Sequence, residues 1–342
     1  MDRHEDLDWV RTVSAVGIVL LHTASVFVSP DSRLTVLGVS PALLFNQITR
    51  FAVPVFFMLS GLGLGLSKRP LKLPGFWLHR LRKTAIPYVL WSLFYFLVNN
   101  RRQLPAMGLL PALRTFGKLL LTGGAASHLW FLPVLLQLYL LYPGLRWLMK
   151  RFPRWTLVLS FLVTLLSTLT ICVPLPFHGW VAARLWRLFP TWLFYFVLGM
   201  AVTGDKLEKL RGFAGKHALP LCILTAVLAL VYAWDARRSG NLDSIKPQLF
   251  LYAPLCFLAL LASWKWCGRS RALAAFSRYT ARHSMTVYFA HIYFLTVLRR
   301  FPLMNRNILT MLLTFAAVLA LSLILGLLPE LYARYRRKKK TA

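Results

Sequence analysis

Three ionisable residues near the head of the chain have a spacing that chemistry could use. In the segment LDWVRTVSAVGIVLLH, Arg11 follows Asp8 by three residues and His22 follows Arg11 by eleven. Eleven residues are close to three helical turns, so on a helix Arg11 and His22 share one face, about 16 Å apart along the axis. Asp8 lies on the same side, one turn earlier, where it can pair with Arg11. The surrounding sequence is apolar, and a charged side chain inside a membrane span costs roughly 2.5–3.5 kcal/mol on insertion scales. Such residues need a reason to be there. An imidazole offers a base that titrates near neutral pH, and a guanidinium offers a fixed charge for an anionic group or a developing oxyanion. A plainer reading stands beside this one: Arg11 is an interfacial anchor and His22 a satisfied core histidine.

Five other places carry polar, charged or small residues in a pattern. In VPVFFMLSGLGLGL, Ser60, Gly61, Gly63 and Gly65 allow another helix to approach closely, and Pro54 permits a bend. The basic run His79, Arg80, Arg82 and Lys83 precedes Pro87. It suits a charged loop at the membrane face or a clamp for a phosphorylated ligand. His128 and Trp130 open an apolar block, where an aromatic belt is the simple explanation. Tyr288 and His291 sit three apart in YFAHIYFL, on one helical face. Arg184 and Arg187 border a further block and can snorkel. The four cysteines, Cys172, Cys222, Cys256 and Cys267, form no CxxC pair, so neither a disulfide framework nor a metal site is expected.

The elements that must position these residues are helices. Of the 342 residues, 58% are hydrophobic, above the usual share of a soluble domain. The excess comes in blocks of about 17–25 residues, the length a helix needs to cross hydrocarbon. Ten spans are predicted: Trp9–Val28, Leu43–Leu66, Thr84–Val98, Leu129–Leu148, Thr156–Val173, Leu188–Val202, Ala218–Trp234, Leu249–Trp264, Met285–Leu298 and Ile308–Leu328. The segment Leu104–Leu121, broken by Pro105, Gly108 and Pro111, reads as interfacial or re-entrant. The first block carries Arg11 and His22 and lacks a clear cleavage site, so it is expected to be a retained helix. The net charge of +31 lies mostly between blocks, which favours topology over nucleic-acid binding. With the N-terminus inside, the 41 Lys and Arg divide into 27 on the inner side and 14 on the outer. That bias predicts both termini in the cytoplasm. The expectation is an all-α, polytopic helical bundle in the cell membrane, one domain over residues 1–342. Its basic tail, residues 334–342, would rest on anionic lipid.

Taken in order, these segments resemble the membrane-bound acyltransferase family 3. LDWVRTVSAVGIVLLH is similar to the family's opening Asp, Arg and His. VFFMLSGLGL is similar to its FF-x-LSG segment, HLWFLPVLLQLYLLYP to its H-L-W-[FY]-L segment, and YFAHIYFL to its late Y-L-x-H motif. The ten-span count agrees, and the resemblance covers nearly the whole chain. It departs at the family's R-x-x-R pair, matched here only by Arg80 with Lys83. The soluble esterase-like domain fused to some members is missing, as in a stand-alone version. The resemblance implies transfer of an acyl group, acetyl or succinyl, from cytoplasmic acyl-CoA to a hydroxyl of an extracytoplasmic carbohydrate or related acceptor, with no metal. On this basis His22 is the general base or an acyl carrier, and Arg11, held by Asp8, positions the donor. Arg80, Arg82 and Lys83 hold the nucleotide end, and Ser60 with its small neighbours leaves room for the pantetheine arm. His128, Trp130, Tyr288 and His291 line the acceptor side or support the helix core.

Two other function classes fit an apolar bundle with intramembrane polar residues. A transporter or flippase for a glycan or lipid-linked sugar would use them as a substrate path or proton relay. Inverted repeats with broken helices would mark it, and the sequence displays none. A structural or sensory membrane protein would not need the stripe of the first span.

Overall fold

The computed structural model describes residues 4–28, 35, 39–67, 72–173, 178–301 and 307–341. Among the charges counted above, Arg3, Arg33, Lys68, Arg69 and Arg306 lie outside these residues, as do the side chains of the basic tail. The described residues form fifteen α-helices and no strand. The helices are α1 (Glu5–Phe27), α2 (Pro41–Ile48), α3 (Ala52–Gly65), α4 (Leu73–Arg80), α5 (Ile86–Asn100), α6 (Leu109–Thr122), α7 (Phe131–Arg151) and α8 (Pro153–Cys172). They continue with α9 (His178–Leu185), α10 (Leu193–Ala201), α11 (Asp205–Lys216), α12 (Ala218–Ser239), α13 (Leu249–Cys267), α14 (Arg271–Leu298) and α15 (Ile308–Thr341).

Among the described residues, seven helical stretches are long and apolar enough to cross a bilayer: α1, Pro41–Gly65, α7, α8, α12, α13 and Ile308–Tyr332. At 1.5 Å per residue α1 is about 34 Å long, slightly more than the hydrocarbon core. Each of the seven coincides with a predicted span. The other three predicted spans are helical but fall short by length or polarity. Thr84–Val98 lies largely in the 15-residue α5. Leu188–Val202 resolves into a 3-10 turn at Phe189–Thr191 and the nine-residue α10. Met285–Leu298 is the second half of α14, whose first half carries Arg271, Arg278 and Arg282. The expected interfacial piece Leu104–Leu121 is a 3-10 turn at Leu104–Ala106 followed by α6. Leu159, Leu162 and Leu166 of α8, and Ile223, Val227 and Leu230 of α12, are exposed. Apolar rows of this length are stable against lipid and not against water, so the chain is a multi-pass membrane protein.

The helices form two compact units: residues 1–56, 209–244 and 248–342, and residues 57–208 with 245–247. In the first unit α1 is the central element, packed on α2, α13, α14 and α15. Val19 of α1 meets Val287 and Leu295 of α14 and Val318 of α15. Ala24 and Phe27 meet Ala42 and Met311. The indole of Trp9 donates to Ser263 Oγ at 2.9 Å, and Thr12 Oγ1 donates to the Ser277 carbonyl at 2.9 Å. Ion pairs fix the start of the helix: Arg211 to Asp6 at 2.6 Å and Arg278 to Glu5 at 3.1 Å. Thr12 meets Ser277 and His22 meets His291. The partners come in the same order along both helices, so α1 and α14 run parallel.

The second unit depends on a backbone-to-backbone contact. A Cβ at Gly61 of α3 would collide with the carbonyl of Phe196 in α10, and a Cβ at Gly199 with the carbonyl of Met58. The two helices therefore touch reciprocally through glycine, as small residues permit in membranes. Gly63, one of the four small residues the sequence singles out, meets nothing within 4 Å. Gly61→Ala and Gly199→Ala should each lower the thermal stability of the detergent-solubilised protein by about 3 kcal/mol or more, since backbone cannot yield as a side chain can. Gly63→Ala should leave it unchanged, and equal effects at Gly61 and Gly63 would contradict the contact.

Candidate active site

The first unit brings two histidines together. His22 on α1 and His291 on α14 have ring centroids 5.2 Å apart, tilted by 44°. His291 is wholly buried. Its Nδ1 lies 3.0 Å from the Val287 carbonyl. A carbonyl only accepts, so Nδ1 carries a proton. Tyr288 is half-buried one turn away, its ring centroid 6.3 Å from that of His291. The tyrosine and histidine thus share a face as predicted, and that face belongs to the surroundings of His22. Asp8 and Arg11 are half-buried on α1, below His22 along the same helix.

Beside α1 stands a polar centre that the sequence reading passed over. Asn46 of α2 donates from Nδ2 to the Leu21 carbonyl at 3.1 Å and to Ser25 Oγ at 2.6 Å. Its Oδ1 accepts from Gln47 Nε2 at 2.8 Å and from Arg50 Nη2 at 2.9 Å. Arg50 Nη1 donates to Ser244 Oγ at 2.8 Å. Through Asn46 this centre is bonded to the Leu21 carbonyl, one residue before His22. A 3-10 turn, Thr49–Phe51, joins α2 to α3 and aims Arg50 back at Asn46. Thr49 holds that turn by donating to the Phe45 carbonyl at 2.7 Å. The charge count takes Arg50 as one of the outer-side cations. A signal was present, because Asn46, Gln47 and Arg50 all lie inside the predicted span Leu43–Leu66, where polar side chains are costly.

The second unit holds the other predicted residues. Residues Leu81–Ala85 form a π-helical turn between α4 and α5, just before Pro87, which has no N–H to give. Arg80 lies over the ring of Tyr139, 5.1 Å from its centroid, and 5.7 Å from that of Phe76. Arg82 and Lys83 are exposed. The basic run therefore divides into one cation stacked on aromatics and two that face outward. His128 is buried, edge-on to Tyr95 at 5.5 Å. Trp130 lies 5.1 Å from Trp186 and 5.2 Å from Trp192. Gly123, at φ 66°, ends α6 so tightly that a Cβ there would strike the backbone of Trp130. Ser60 is half-buried on α3.

Among the described residues no group of three or more His, Cys, Asp or Glu could hold a metal ion. Asn46 is the acceptor shared by Arg50 and Gln47. Asn46→Leu should cost about 2–5 kcal/mol in thermal stability by stranding two donors. Asn46→Asp, which keeps the acceptor for Arg50 and Gln47 but loses the donor to Leu21 and Ser25, should recover part of it, and a Leu variant as stable as the parent would contradict the hub.

A family model described as an acyltransferase domain, Acyl_transf_3, matches residues 4–328. That range takes in helices of both compact units. No curated protein and no solved structure gives a match.

Proposed function

This chain belongs to the acyltransferase 3 family, and on that premise we propose that it moves an acyl group from cytoplasmic acyl-CoA to a hydroxyl of an extracytoplasmic carbohydrate. Acetyl is the donor group we favour. The observation that carries this reading is the meeting of His22 and His291, on a helix that also bears Asp8 and Arg11 and is held at Leu21 by Asn46, the partner of Arg50. Transfer to a hydroxyl needs a base. His22 takes the hydroxyl proton as the acceptor oxygen bonds to the thioester carbonyl carbon. Arg50 supplies positive charge where the carbonyl oxygen gains electrons, and Arg11, about three turns nearer the start of α1, positions the donor. The carbon–sulfur bond then breaks, and His22 returns its proton to the departing thiolate of coenzyme A. His291 orients the His22 ring.

Acyl-CoA is a substrate with a polyphosphate end. Exposed Arg82 and Lys83 suit phosphate, and Arg80 is pre-set by its stacking on Tyr139. Trp130 packs with Trp186 and Trp192, aromatic faces suited to a sugar ring or the pantetheine arm, and His128 stands edge-on to Tyr95 beside the start of the same helix. In this reading α5, α10 and α14 complete a ten-span path, with the inner loops and both termini in the cytoplasm. The parallel course of α1 and α14 fits it, because predicted spans two to eight between them make an odd number of crossings.

Membranes holding the full chain, given labelled acetyl-CoA, should label cell-envelope glycan. His22→Ala should lower that labelling by about 100-fold or more, the usual contribution of a positioned base. Undiminished labelling by a normally inserted variant would remove His22 from the chemistry.

A further inference from the structure

The segment between α9 and α10 is held at one carbonyl after another. Thr191 Oγ1 donates to the Leu185 carbonyl at 2.9 Å, and the Trp192 indole donates to the Trp186 carbonyl at 2.9 Å. Gln137 of α7 grips the next turn twice. Its Nε2 donates to the Arg187 carbonyl at 3.4 Å, and its Oε1 accepts from the Phe189 N–H at 3.0 Å. Thr164 of α8 donates to the Pro190 carbonyl at 2.7 Å. The guanidinium carried by this fixed segment is left out of the scheme. Arg187 lies over the Trp186 ring, 4.4 Å from its centroid, and its Nε is enclosed with no hydrogen-bond partner. Nη1 and Nη2 bond no described group either, but they are not enclosed, so the fork they form opens at the surface. A snorkelling arginine would carry its whole head into water. Arg238 is closer to that case: it lies 5.3 Å from the ring of Trp234 on its own helix, both residues are exposed, and Asp235 is three residues before it.

The sequence around Arg187 supplies no counter-ion. Residues 57–204 contain sixteen Lys and Arg and no Asp or Glu. The two carboxylates that complete this compact unit, Asp205 and Glu208, begin α11. A guanidinium set on an indole, sealed on its Nε side and open at its Nη fork, therefore receives its anion from outside the unit. We propose that Arg187 is a phosphate-binding site at the membrane face, taking the phosphodiester of a phospholipid headgroup or a free phosphate. Two N–H groups of one fork engage two oxygens of one phosphate, which a point charge cannot do. Exposed Arg184, one turn earlier, adds positive charge. Trp130, 5.1 Å from Trp186, and exposed Leu188 give the apolar border that suits a headgroup and its first methylenes. The inference stands apart from the acyl-transfer reading and needs only that the chain lies in a membrane.

The test uses the full chain, delipidated in an uncharged detergent, and follows its unfolding temperature as a probe is added. Dioleoylphosphatidylglycerol should raise that temperature. Dioleoylglycerol, with the same chains and no phosphate, should not. Arg187→Gln should raise the half-saturating concentration of the phospholipid about 10-fold or more, the worth of one charge-assisted hydrogen bond. Arg187→Lys, which keeps the charge and loses the fork, should recover only part of the binding. Arg238→Gln should leave it unchanged. Inorganic phosphate forms the second arm. Stabilisation by phosphate, with displacement of the phospholipid, identifies a site for the free ion; stabilisation by the phospholipid alone identifies a headgroup site. The reading is a concentration, so a variant that is merely less stable still reports it. No stabilisation of the parent by either probe would overturn the site, as would equal half-saturation in the parent and Arg187→Gln, or equal stabilisation by dioleoylglycerol.

Discussion

A guanidinium inside a membrane helix must find its acceptors within the protein, because lipid provides none. Arg50 finds them in Asn46 and Ser244. Asn46 in turn holds α2 against α1 at Leu21 and Ser25. The contact that satisfies a half-buried charge is therefore also the contact that sets α2 beside His22. The 3-10 turn at Thr49–Phe51 belongs to the same arrangement, since it lets one chain segment supply both Asn46 and Arg50 to a single centre. Burial cost drives the sequence of events. The polar residues are expensive, the expense is met by mutual hydrogen bonds, and the bonded set carries the groups that chemistry can use.

The opposite side of α1 is fixed differently. Thr12 and the Val19 cluster lock it to α14 along its length, and the parallel alignment delivers His291 to His22. Hydrophobic packing determines the register here, and the histidine pair follows from it. In the second unit the determining contact is steric, with Gly61 and Gly199 allowing two backbones to touch. Charge, apolar packing and close approach thus each position one part of the molecule.

Much of this was readable from residue order. The stripe of Asp8, Arg11 and His22 follows from helical periodicity alone, and the long apolar blocks name the seven clearest spans. The partners of that stripe were less accessible. Tyr288 and His291 could be given a common face, but not a neighbour, because α1 and α14 meet only through tertiary packing. The partners of Arg50 were hidden for a simpler reason. A count by side of the membrane treats every cation as loop charge and cannot distinguish one that bonds to Asn46 inside a span. Gly61 and Gly63 look alike in sequence, and only the path of α10 separates the glycine that is needed from the one that is not. The basic run before Pro87 had the same ambiguity: stacking on Tyr139 sets Arg80 apart from Arg82 and Lys83.

The central claim is that α1 links a donor arriving near its N-terminal end to an acceptor beyond the other face of the membrane. Sealed vesicles of both orientations, with labelled acetyl-CoA confined to the outside medium, test it directly. The account predicts acylated glycan in inside-out vesicles, where the cytoplasmic face meets the donor, and none in right-side-out vesicles until they are permeabilised. Equal labelling of intact right-side-out vesicles would contradict it.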